Sequence, residues 1–390
     1  MSRLHAVFLQ FLLITAAHAT DLLVAPGASA PMYPSISSAL TAAIAGDRII
    51  IQPAVYSGDV VITRSVELLS NVAGQRYSIT GDVVFAPITA SQSVLIQDAV
   101  VQDSIRSGTV TGAGHTLRSA NCKATTYFVL NAAVSNQLYR DSIMGYAGMY
   151  APSDIIGCVI AGSPGLNGLG INIFTQGVVN NAAYTRIIGN VIGSGRDYPN
   201  SALFVSTFAP FVIENNYITL TCPNNVNFTG AIRTGDSFNA GQVTTTACTI
   251  RNNTIRWSGP GTINGIYIEE SDPLFVVDVR NNFYVGAVVT FNNSPNATQQ
   301  YNITTSNAAH VNTSTGAPTV GSPAINAGDP DVIYTDLDLS RNDAGCYGAS
   351  FTRDQFDDAL PTTAFVGFVD TPRRTQAALA IPITAIAIDR

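Results

Sequence analysis

The chain has 390 residues, a net charge of −7 and only 12% charged residues, and Lys123 is its one lysine. Those figures exclude a basic stripe for nucleic acid and a polybasic membrane patch. Asparagine, glycine, serine and threonine supply the polar surface instead, as in exported β-rich proteins.

Residues 1–19, "MSRLHAVFLQFLLITAAHA", have the pattern of a signal peptide: Arg3 near the start, an apolar run and an Ala17-His18-Ala19 cleavage site. The closest later approach to a membrane span is "AALAIPITAIAI" (377–388), which is too short and contains Pro382. The mature chain is therefore expected to be exported, to the periplasm, cell surface or medium, as a soluble monomer with no transmembrane segment. A short amphipathic helix follows, with Ile36, Leu40 and Ala43/Ile44 on one face and Gly46-Asp47 as its stop. Strands come next, so the helix is placed to cap an exposed sheet edge.

From there the chain repeats itself. "IIGCVI" (155–160), "IIGNVI" (187–192), "IENNYI" (213–218) and "IRNNTI" (250–255) each put two isoleucines five apart around a polar or small centre. "VRNNFYV" (279–285) is looser, and "LLSNVAG", "LIQDAV" and "VLNAAV" extend the series upstream, with centres near 71, 98 and 131. The runs are short, β-branched and alternating, broken by Gly, Asn and Asp, which is strand-and-turn grammar rather than a helical repeat. One unit recurs roughly every 30 residues, too far apart for hairpins and right for a coil of three short strands. The fold class is all-β: a parallel β-helix of eight to ten coils over residues 20–350. The isoleucines face the interior from consecutive strands, and the asparagine sits at the corner, where it tolerates a left-handed backbone and stacks on its copies.

Two stretches carry a family resemblance. "SISSALTAAIAGDRIIIQPAVY" (35–56) resembles the start of right-handed parallel β-helix proteins of the pectin-lyase-like group. "GSPAINAGDP" (321–330) with "DLDLSRNDAGCYG" (336–348) is similar to the closing segment of many exported bacterial members. The resemblance implies a right-handed coil and a polysaccharide groove along one sheet. It does not select a reaction, because the group holds lyases, hydrolases, epimerases, adhesins and tailspikes. Residues 351–390 depart from the pattern. Their two alternating apolar stretches read as a C-terminal appendix, either strands packed back on the coil or a cap of its open end; a sorting or anchoring tail is the rival.

None of the five cysteines forms a CxxC or a Cys/His metal spacing. Cys222 and Cys248 flank a loop-like insertion and are the candidate disulfide; buried free thiols are the other reading. Strand alternation then selects what faces outward. "GINIF", "ALFVS", "AIRTGD" and "GIYIEESD" leave Asn172, Phe204, Arg233 and Tyr267 in an exposed column, edged by Asp236, Glu269, Glu270 and Asp272. Asn172, Phe204 and Tyr267 suit sugar binding, since rings stack on apolar sugar faces.

For catalysis the candidates are Arg233, Asp236 and Glu269. Asp236 with Glu269 would serve hydrolysis, and Arg233 would serve as the base of a β-elimination. Glu270 and Asp272 are the candidate metal ligands, for Ca²⁺ if any cofactor is used; none is required. The neighbouring alternative is a salt bridge from Arg233 to Glu269 or Asp236 on a solvated face. "DLDLSRND" lacks the glycine and glutamate of a calcium loop, so Asp336, Asp338 and Arg341 read as a turn or ion-pair cluster. The function expected is binding, with or without cleavage, of a polysaccharide or surface glycan. The competing class is a non-catalytic cell-surface or adhesive scaffold.

Overall fold

The computed structural model describes residues 19–86, 91–108, 114–129, 134–162, 169–174, 184–194, 201–206, 210–221, 230–235, 246–269, 275–286, 288–289, 297–349, 351–356, 365–370 and 384–388. The expected signal peptide lies outside them up to residue 18.

Three short strands per turn build three stacked parallel sheets. The first has twelve strands, from Asp21–Val24 to Ala297–Gln300. The second includes Val159–Ile160, Val191–Ser194, Tyr217–Leu220, Thr254–Trp257, Phe283–Val285 and Ile303–Thr305. The third includes Ala147–Met149, Ile171–Phe174, Leu203–Ser206, Ile232–Thr234 and Ile266–Ile268. Two longer strands, Ala99–Ser107 and Lys123–Val129, run through both of the latter sheets. The protein is a right-handed parallel β-helix, the hand that right-twisted strands favour for parallel crossovers.

Among the described residues nine coils have strands in all three sheets, within the eight to ten expected, and strands of the first sheet extend beyond them at both ends. The corner expected near residue 131 lies outside the described residues, and two corners between the first and second sheets lie on either side of it. The corners lie at Asn121-Cys122 and Arg140-Asp141, where no pair of isoleucines marks them. Helix Ile36–Ala42 forms where a helix was expected, with a Ser35–Ser38 capping box at its start. It buries Ile36, Ala39 and Leu40 in the core, but the outermost strand of the first sheet is Asp21–Val24, which precedes it.

Inside, period-two alternation stacks one residue type on itself. Ile49, Leu68, Ile96, Ser119, Leu138, Ile155, Ile187, Ile213, Ile250 and Val279 form one fully buried, in-register column. Each aliphatic member contributes about 1.5–3 kcal/mol relative to leaving it in water. Phe211 and Phe275 extend the core, with ring centroids 5.9 Å apart.

The corner between the first and second sheets explains the repeat. Its first residue is left-handed: Gly157, Gly189, Asn215, Asn252 and Asn281 have φ of 66°, 67°, 55°, 51° and 57°. Its second residue points inward and forms a ladder. Asn190 Nδ2 donates to Asn216 Oδ1, Asn216 Nδ2 to Asn253 Oδ1, and Asn253 Nδ2 to Asn282 Oδ1, at 2.9, 2.9 and 3.0 Å. Each Oδ1 also accepts the backbone N–H of the rung before it. Asn282 and Asn302 continue the pattern. The two tasks expected of one asparagine are thus divided between neighbours. In "RIIGNVI" Gly189 makes the turn and Asn190 makes the ladder.

The chain then returns along the outside of this corner, and the left-handed column is its track. Asn215 Nδ2 donates to Gly348 O at 2.6 Å, Asn252 Nδ2 to Asn342 Oδ1 at 2.9 Å, and Asp329 N donates to Asn281 Oδ1 at 2.8 Å. Farther along, Phe356 lies on Gly157 and Gly189, where a Cβ would collide with its ring. Left-handed positions are therefore asparagine beneath returning backbone and glycine beneath the phenylalanine. Phe356 and Phe368 pack with Ala120, Tyr139, Ile156 and Ile188 on the outer face of the first sheet. Phe368 belongs to Phe365–Asp370, which pairs antiparallel with Thr384–Ile388.

The candidate disulfide is corrected. Cys248 is a free thiol, 1% exposed, on the inward side of its strand opposite Val277, and burial pushes it up to about 12. A sulfur on that side of the strand faces the core instead of a surface loop. Its proposed partner, Cys222, lies outside the described residues.

Asp141 occupies a ladder position one rung below Cys122. Its Oδ1 accepts the Cys122 N–H at 2.8 Å, and burial pushes the carboxyl up to about 7. Raised above its unfolded value, this group favours folding fully below about pH 4 and loses that contribution as pH rises to about 7. The thermal midpoint of Asp141→Asn minus that of the wild type is expected to grow across this window and then level off; a flat difference would contradict the assignment. Asn253→Ala removes the acceptor of two buried Asn216 donors and is expected to cost about 2–4 kcal/mol in denaturant titration.

Candidate functional site

Connections differ sharply in length around the coil. From Ala120 onward, each described corner between the first and second sheets is two residues, as at Asn215-Asn216 between Phe211–Glu214 and Tyr217–Leu220. The third sheet is flanked by long, uneven segments on both sides: 161–170, 195–202 and 221–231 lead in, and 175–184, 207–210 and 235–245 lead out. The described contacts of the returning segment are with the first and second sheets and their shared corner. The third sheet is thus the floor at which the connections of uneven length begin and end.

On that floor the expected column is present. Asn172, Phe204, Arg233 and Tyr267 are register partners on successive strands, so neighbours lie about 4.8 Å apart. The flanking residues face inward and are buried: Ile171, Leu203, Ile232 and Ile266 on one side, Ile173, Val205, Thr234 and Ile268 on the other. Above Asn172 the register passes through Gly148 and then Phe128 to Arg106, a member absent from the sequence-based column. Its signal was available: "DSIRS" buries Ile105, which turns Arg106 outward.

Arg233 is held from two directions. Its Nε and Nη2 both donate to Glu269 Oε2, at 2.9 and 2.6 Å, and its Cζ lies 4.9 Å from the Phe204 ring centroid. Both charged side chains are only partly exposed, 27% for Arg233 and 23% for Glu269. Arg106 is paired through one nitrogen, its Nε 2.6 Å from Asp82 Oδ2, and its side chain is more exposed than that of Arg233. Tyr267 packs against Gly230, where an added Cβ would come within 2.8 Å of the tyrosine Cβ. Asn172 Oδ1 has no hydrogen-bond partner among the described residues.

The structure therefore brings Asn172, Phe204, Arg233, Tyr267 and Glu269 together. It pairs Arg233 with Glu269, one of the two salt bridges considered from the sequence. Asp236, Glu270 and Asp272 lie outside the described residues, and with them the carboxylate pair for hydrolysis and the candidate Ca²⁺ ligands. Among the described residues no group of three or more His, Cys, Asp or Glu side chains is placed to hold a metal. No helix among them is long and apolar enough to cross a membrane.

The "DLDLSRND" segment proves to be a turn cluster without an Asp–Arg pair. Asp336 accepts the N–H groups of Ala349 and Asp343 at 2.7 and 2.9 Å, while Arg341 Nε donates to Gly328 O at 2.8 Å. Burial raises the Asp336 carboxyl to about 6 against the pull of those two N–H donors.

No family model matches the chain, and no curated protein matches it. Among solved structures it is similar to the crystal structure of pectate lyase Pel9A. The identity is 14%, the TM-score is 0.45, and the match covers 85% of this chain and 96% of that one. A likeness at that level says nothing about chemistry on the outward face.

A partly exposed ion pair contributes little to stability. Glu269→Gln is therefore expected to lower unfolding free energy by no more than about 1 kcal/mol in denaturant titration. A loss of several kcal/mol would make the pair a structural anchor and not part of an adaptable surface.

Proposed function

We propose that this is an exported β-helix protein that binds a glycan chain along the outward face of its third sheet. The observation that carries the proposal is the in-register column Asn172–Phe204–Arg233–Tyr267, on a sheet other than those that the described contacts of the returning tail reach. A linear ligand suits a linear array. Tyr267 offers an apolar ring, Asn172 an amide, and Arg233 an ordered guanidinium edge.

Binding without cleavage is the form best supported. Arg233, the candidate base, is committed to Glu269, and Glu269 is committed to Arg233. A catalytic role for either would require that pair to open. That pairing supports a glycan-binding surface scaffold over a lyase or hydrolase.

The test uses residues 20–390 against a glycan panel, with retention and cleavage products read separately, the products by mass spectrometry and ultraviolet absorbance. Tyr267→Ala is expected to weaken binding about tenfold, roughly 1.4 kcal/mol, while Lys123→Ala, an exposed position on the second sheet, leaves it unchanged. Full retention in Tyr267→Ala would remove the face from consideration. Cleavage products that vanish in Asp236→Asn would restore the hydrolase.

A further inference from the structure

We infer that this face selects long glycan chains, held at two arginine anchors about 24 Å apart, so that a fragment too short to span them binds weakly. The inference rests on the glycan-binding proposal above and narrows its ligand to a polymer recognised along its length. The outward column of the third sheet extends beyond the stretch from Asn172 to Tyr267. It continues through Phe128 and Arg106 to Val84 and Val61, nine register partners on nine successive coils. Arg106 and Arg233 are its two cations. They stand five strand spacings apart, which at about 4.8 Å each gives about 24 Å. The positions between them, Phe128, Gly148, Asn172 and Phe204, carry no charge.

The two anchors are built alike. Each arginine is steadied by one carboxylate from the adjacent coil and keeps N–H groups to spare. Arg106 Nε donates to Asp82 Oδ2, and Asp82 Oδ1 in turn accepts the Ser104 N–H at 3.1 Å. The Arg106 side chain is 41% exposed, and its Nη1 and Nη2 have no partner among the described residues. Arg233 spends Nε and Nη2 on Glu269 and keeps Nη1, with Phe204 and Tyr267 as its neighbours in register. A positioned guanidinium donates to hydroxyl and carboxylate oxygens alike, so the anchors define a span and not a charge. Apolar surface continues past Arg106, where Val84 is partly exposed and Val61 is 48% exposed.

Separation then becomes selectivity. A chain held at one anchor presents its next stretch to the other at high effective concentration, provided its length matches the span. A shorter chain meets one anchor only. Hydrogen-bonded strand pairs fill every step between the two, so the span is fixed.

The experiment titrates wild type, Arg106→Ala, Arg106→Lys and Tyr267→Ala calorimetrically with xylo-, manno-, gluco- and galacturono-oligosaccharides. Each series includes members whose extended length falls below and above about 24 Å. Wild type is expected to bind the longer members of at least one series about a hundredfold tighter than the shorter ones. Arg106→Ala is expected to erase that gap by bringing long chains down to short-chain affinity. Arg106→Lys is expected to restore part of it, which separates a lost anchor from a folding defect. Affinity indifferent to length, or a gap that survives in Arg106→Ala, would overturn this inference; weaker binding by Tyr267→Ala would then leave glycan binding standing. No binding of any oligosaccharide or of its parent polymer would remove glycan binding itself, and the inference with it.

Discussion

Everything in this molecule depends on a buried amide that is satisfied by its own copy on the next coil and by a backbone carbonyl of the coil before. At the corner between the first and second sheets, Asn216 lies between Asn190 and Asn253, and all three are fully buried. A primary amide brings two donors and an acceptor into the interior, where an unpaired polar group costs about 1–3 kcal/mol. A shift of one residue would orphan several such groups at once and turn the isoleucine column to the outside. The ladder therefore locks register on every rung it touches. The outward column inherits that lock, so its side chains keep a fixed spacing although the loops beside them vary freely.

This division of labour accounts for what was legible beforehand. Period-two alternation is short-range and strict, so the column from Asn172 to Tyr267 could be read from four strands without knowledge of their loops. The Asn-centred repeat was equally plain, because buried amides and β-branched neighbours tolerate few substitutes. Corners built from Asn121-Cys122 and Arg140-Asp141 escaped notice because they lack the flanking isoleucine pair. The inward Cys248 was misjudged for a related reason. Its position beside an insertion suggested a surface staple, while its parity on the strand Thr246–Arg251 puts it in the core. Asp236, Glu270 and Asp272 sit in long segments with no periodicity, where no local rule assigns a direction.

On the outward face of the third sheet the same geometry sets limits. A column in which aromatic, guanidinium and carboxylate groups already satisfy one another is preorganised, which lowers the ordering cost of binding an extended chain. Among the described residues the two carboxyls pushed up furthest, Asp141 and Asp336, serve the corner and the tail turn, away from that column.

The tail's track along the left-handed column has a consequence for how the molecule comes apart. A bare solenoid behaves as a one-dimensional stack in which each coil leans only on its neighbours, so its ends fray rung by rung. Here Asn215, Asn252 and Asn281 fasten three successive coils to one continuous stretch of backbone, and Phe356 reaches the two coils above them. The last coils cannot peel away unless that backbone lifts, and it cannot lift without giving up hydrogen bonds on several coils together. The returning strand turns a zipper into a latch, and loss of the C-terminal end becomes an all-or-none event for the lower half of the coil.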